Sequence, residues 1–211
     1  MRIARQALLG AALAVSFPLA KASAQSQLIG DKDCYGFGGY PCSSMAEINL
    51  PEDRRSAAEA AATNGAQQTD FYSSNFAPLP SVFDVIFPMS SPITGGSLMV
   101  GMGGFQADDF GQFLVSLNGV AMPDFFNFQD GALASVERMF TLSAADIASI
   151  NSLSMLRLSI DRSTSNDGTA FDYFQFDYES TTTTTPEPAS LVLVASGLAG
   201  IGFGLRRRKR A

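Results

Sequence analysis

Five short stretches of this chain place apolar side chains at every second position, and turn-forming residues separate them. Phe83, Val85 and Phe87 alternate with Val82, Asp84 and Ile86, and Leu98, Val100 and Met102 with Met99, Gly101 and Gly103. Phe113, Val115 and Leu117 share one face opposite Ser116 and Asn118. Leu156, Leu158 and Ile160 oppose Met155, Arg157 and Ser159, and Asp172, Phe174, Phe176 and Tyr178 oppose Tyr173, Gln175 and Asp177. A period of two is the signature of strands with one buried face. Gly95-Gly96, Asn118-Gly119, Asp130-Gly131 and Asn166-Asp167-Gly168 read as the turns between them. Without a βαβ rhythm, the pattern predicts an all-β fold, an antiparallel β-sandwich with a jelly-roll arrangement, over residues 80–180. A β-barrel is the nearest alternative, because alternation does not say whether sheets close. Gly101-Met102-Gly103-Gly104 lacks the Lys and following helix of a phosphate loop and reads as a bulge or turn at a strand end.

Two short helices are expected beside the strands. Ser143 followed by Asp146 is close to a capping box for Ser143–Ile150. The Ala-rich Arg54–Ala62 ends before Asn64-Gly65, a plausible stop. The segment 25–79 otherwise reads as loop-rich and packed on the main domain.

Both ends of the chain are of a different kind. Arg2 and Arg5 precede an apolar stretch, Ala7–Val15, and Ala22-Ser23-Ala24 fits the small-x-small pattern read by signal peptidase. The order predicts a signal peptide over 1–24, cut between Ala24 and Gln25; the apolar run is too short for a comfortable membrane span. At the other end a Thr run, Thr181–Thr185, leads to Pro186-Glu187-Pro188 over a spacer segment 181–188. An uncharged apolar segment of 17 residues, 189–205, follows, and a basic tail, 206–211, closes the chain. The apolar segment would reach about 25 Å as a helix, enough for a thin bilayer, with the basic residues cytoplasmic.

These ends conceal most of the charge. The whole chain carries −6, but eight of its 14 basic residues lie in the two terminal segments and only Glu187 of its 20 acidic ones does. The remaining 6 basic and 19 acidic residues leave the domain near −13. Such a surface repels phosphate backbones, which argues against a nucleic-acid partner, and it attracts divalent cations. Cys34 and Cys42 close a short Gly/Pro-rich loop and are expected as a disulfide in an oxidising compartment.

The order Pro-Glu-Pro, short Gly-rich apolar helix and basic end over Pro186–Ala211 resembles the PEP-CTERM sorting signal of Gram-negative bacteria. The resemblance implies recognition by an exosortase, a membrane-embedded cysteine transpeptidase, with Pro186, Glu187 and Pro188 as the recognition and processing motif. It further implies an inner-membrane anchor before processing and a cell-surface, outer-envelope or matrix location afterwards. Asp31-Lys32-Asp33-Cys34, Asn64-Gly65-Ala66 with Thr69-Asp70, and Asp167–Tyr173 also resemble segments of β-sandwich cargo domains that carry this signal.

Chemistry is sparse in the residues themselves. With no His, a Ser-His-Asp or Cys-His arrangement cannot be built, and no carboxylate pair is marked as catalytic, so no enzyme is expected. The one candidate site is for calcium, a cation that takes six to eight oxygens: Asp31 and Asp33 beside the expected disulfide, Asp70, and Asp172 on the last strand. Two functional readings stand. One is a structural or adhesive component of the envelope or biofilm matrix. The other is a calcium-assisted carbohydrate-binding module for exopolysaccharide, with Tyr72, Phe76, Phe125, Phe126 and Phe128 as candidate sugar platforms in place of the absent Trp. A glycan hydrolase ranks third.

Overall fold

The computed structural model describes residues 21–33, 53–72, 80–131 and 134–182. In chain order the elements are β1 (Lys21–Gly30), α1 (Ala57–Ala61), a 3-10 turn (Ala66–Gln68), β2 (Val82–Pro88) and β3 (Ile93–Gly103). There follow α2 (Ala107–Phe110), β4 (Leu114–Leu117), β5 (Val120–Ala121), β6 (Ser135–Thr141), α3 (Ala144–Leu153), β7 (Met155–Asp161) and β8 (Ala170–Thr182). Ala22–Thr181 is one compact unit, separate from the two ends of the chain.

The strands form two four-stranded sheets, ordered β1-β8-β3-β6 and β2-β7-β4-β5. First therefore lies beside last, second beside seventh, third beside sixth and fourth beside fifth. Every connection but the β4–β5 hairpin crosses between sheets, which is jelly-roll order, and neither sheet closes into a barrel. The expected alternations meet each other directly. Phe83, Val85 and Phe87 lie opposite Ile160, Leu158 and Leu156 in the antiparallel β2–β7 ladder, and all six are buried. Asn118 and Gly119 both take positive φ, 49° and 85°, as the tight β4–β5 hairpin requires.

Both expected helices form. Ser143 and Asp146 make the full capping box of α3. In α1 the box is Ser56 with Glu59, and the helix is shorter than Arg54–Ala62.

Three features depart from the sequence reading. Residues 21–30 are an edge strand of the first sheet, so this part of the N-terminal segment belongs to the sandwich itself. Gln25 and Gln27 reach Ser180 (2.8 Å) and Tyr178 (3.1 Å) on β8, and these contacts run the two strands in opposite directions. β6 is a second strand that alternation did not reveal. Gly95-Gly96 is not a turn but part of β3, with a register irregularity beside it. Gly is needed there because a Cβ on Gly96 would stand 2.8 Å from the Phe176 ring.

The core between the sheets combines aliphatic side chains with a connected cluster of aromatic rings. Phe126 is its centre: the ring lies 5.2 Å from that of Phe171, 5.8 Å from Phe140 and 6.1 Å from Phe105. Its φ of 62° is costly for a residue with a side chain, and the full burial of the ring offsets that strain.

Candidate metal centre

One end of the β1–β8 pair gathers acidic residues from three separate segments. β1 ends at Gly30, whose φ of 80° turns the chain so that Asp31 and Asp33 follow at once. A Cβ on Gly30 would stand 2.6 Å from the Asp172 carbonyl oxygen, so the turn is pressed against β8. Asp70 follows the 3-10 turn and has φ 54°. Its backbone is held on both sides: its N–H donates to the Phe171 carbonyl (2.8 Å), and its own carbonyl accepts from the Arg54 N–H (3.0 Å).

Asp172 arrives by a bulge. Going along β3, Gly101 faces Tyr173 but Met102 faces Phe171, so the register steps over Asp172. Strict alternation would put Phe171 and Phe174 on opposite faces; the bulge brings their rings to 4.9 Å in one core. The same step directs the Asp172 carboxylate toward the β1 turn. Asp172 is 0 % exposed and Asp70 1 %.

The four carboxylates of Asp31, Asp33, Asp70 and Asp172 each present an oxygen, and those oxygens lie within 4.8 Å of one another. All four residues singled out from the sequence are thus brought together. Burial, and then the charges of Asp33, Asp172, Asp31 and Glu59, push the Asp70 carboxyl up to about 9. Burial first, with Asp33 and Glu59 beside it, also raises Asp31 above the ordinary carboxylate range. The cation nearest in sequence, Lys32, places its Nζ 4.3 Å from the centre of the Tyr173 ring.

The candidate sugar platforms are arranged differently from the expectation. Phe125 and Phe126 are core residues, and Phe128 packs against the core with the Arg138 guanidinium 3.8 Å from its ring centre. Tyr72 is half-buried, its hydroxyl tight against Gly168. No concave aromatic face results from these four residues, because a jelly roll of this size needs its rings to fill the space between the sheets. Phe76 lies outside the described residues, as do Cys34, Cys42 and the Pro186, Glu187 and Pro188 motif. Ala24 and Gln25 lie within β1.

Residues 184–209 match the family described as the PEP-CTERM protein-sorting motif. The chain carries a PEP-CTERM sorting signal. It is accordingly an exported protein sorted by an exosortase, membrane-anchored first and destined for the surface of a Gram-negative cell. The PEP-CTERM match includes Pro186, Glu187 and Pro188 and stops short of the sandwich. No curated protein and no solved structure matches the chain. Among the described residues, no helix is long and apolar enough to cross a membrane.

Proposed function

We propose that this PEP-CTERM chain is a non-catalytic structural or adhesive component of the cell envelope or biofilm matrix, with exopolysaccharide as the surrounding partner. The sorting motif at residues 184–209 carries this reading. Two further observations support it: the sequence has no His to serve as a general base near neutral pH, and the described Phe side chains are used mainly to fill a rigid sandwich. Signal peptidase cuts after Ala24 and leaves Gln25 as the first residue. The Gln25 amide accepts from the Tyr178 hydroxyl and donates to the Ser180 hydroxyl, both at 2.8 Å, so the mature β1 keeps its hold on β8. Exosortase then acts at Pro186-Glu187-Pro188 and removes the apolar segment and basic tail.

Mass spectrometry of the chain recovered from cells with and without the exosortase tests the processing. The expected product starts at Gln25 and lacks everything beyond the Pro-Glu-Pro motif only when the enzyme is present. An intact basic tail in exosortase-positive cells contradicts the reading. Deleting the gene should weaken matrix cohesion, and a specific glycan-hydrolysing turnover by the purified chain would overturn the non-catalytic assignment.

A further inference from the structure

We propose that Asp31, Asp33, Asp70 and Asp172 bind one calcium ion, which fastens the first strand of the sandwich to the last. Four carboxylates converging from three segments reach a formal charge of −4 when all are ionised, and the buried pair cannot turn away to water. A second observation is independent of the clustering: Asp70 Oδ1 is buried and has no hydrogen-bond partner among the described residues. A buried carboxylate oxygen left without a partner is destabilising in such surroundings. A cation bound among these carboxylates satisfies it.

The spacing admits a calcium ion. Ligand oxygens on opposite sides of calcium stand about 4.6–5.2 Å apart, twice the calcium–oxygen distance, whereas magnesium would draw them to about 4.2 Å. The observed separations, all within 4.8 Å, leave room for calcium. The donor set points the same way, being all oxygen and drawn from two exposed residues on a turn and two buried ones. Carboxylates that bind in bidentate fashion, together with water at the exposed side, bring the number of oxygens to the six to eight that calcium takes. The ion spans the turn after β1, the residue after the 3-10 turn and the bulge of β8, three places 141 residues apart at most along the chain, from Asp31 to Asp172.

Terbium luminescence on the full-length chain in detergent, after treatment with chelator, provides the test. The sequence has no Trp, so sensitised emission must come from Tyr, and Tyr173 adjoins Asp172. Emission should saturate with terbium and be displaced by calcium at concentrations at least tenfold below those at which magnesium displaces it. Asp70→Asn and Asp172→Asn should each weaken binding tenfold or more, and the exposed Asp33→Asn, which leaves the core untouched, should also weaken it measurably. In chelator Asp70→Asn should melt no lower than wild type, which separates loss of the ion from loss of the fold. Absence of saturable emission, wild-type affinity in all three variants, or equal displacement by magnesium would overturn the proposal.

Discussion

The backbone N–H of Asp70 donates to the carbonyl oxygen of Phe171 at 2.8 Å, one residue before the bulged Asp172. That bond ties the loop carrying Asp70 to β8 by main chain alone. The two buried carboxylates are held together whatever the state of their side chains. The site is therefore built into the backbone, and substitutions in it should separate ion binding from folding.

Gly30→Ala tests the turn that delivers Asp31 and Asp33. An Ala at φ 80° is strained, and its Cβ would overlap the Asp172 carbonyl at 2.6 Å. We expect a loss of about 2 kcal/mol or more in urea unfolding, with weakened ion binding. Stability equal to wild type would show that β1 does not need this close approach.

The pH dependence of the metal-free chain follows from Asp70, whose folded-state carboxyl stands near 9 against an ordinary 3.8. The folded protein holds a proton that the unfolded chain releases between those values. Stability from this group is fully present below about pH 4 and is lost as pH rises toward 9. In chelator the melting temperature should fall from acid to alkaline pH, and Asp70→Asn should flatten the slope. The same slope in both proteins would assign the effect elsewhere.

Phe126→Ala removes the ring at the centre of the core. The expected cost is about 3–5 kcal/mol, as for other large-to-small changes in a packed interior. Thermal or urea unfolding would read it, and a loss below ~1 kcal/mol would mean that the neighbouring rings collapse into the space.

The two capping boxes give an internal comparison. Ser143→Ala should cost about 1 kcal/mol, because α3 buries Ile150 and its start is coupled to the core. Ser56→Ala removes the same chemistry from α1, which buries no residue, so global stability should change by no more than about 0.5 kcal/mol. Equal losses would indicate that α1 is coupled to the core after all.

What was legible in the sequence was whatever depends on one strand at a time. β2, β4 and β7 show clean alternation because one face of each is buried along its whole length, and α3 announces itself through Ser143 and Asp146. β1 and β6 were hidden for physical reasons. β1, with the sequence Lys-Ala-Ser-Ala-Gln-Ser-Gln-Leu-Ile-Gly, has few β-formers and is extended because β8 offers it a partner. β6 is an edge strand, with Met139 63 % exposed and the adjacent Glu137 and Arg138 bonded to Tyr173 and Asp130, so no single face is apolar. Gly96 read as a turn because the Phe176 ring that excludes a side chain there lies 80 residues away. The four aspartates could be named in advance, but the bulge that aims Asp172 is a property of the β3–β8 pairing and leaves no trace in β8 alone. The aromatics were misread for a related reason: loop-like surroundings in sequence do not say whether a ring faces solvent or fills the gap between two sheets.

β8 lies between β1 and β3 and continues directly into the residues that carry the sorting motif. A tug on that tail in line with β8 loads the strand along its length. The hydrogen bonds on both edges then resist as a group in shear, where a peeled edge strand would give way one bond at a time. A protein fastened to a surface by its C-terminal end thus bears drag through a strand held on both edges.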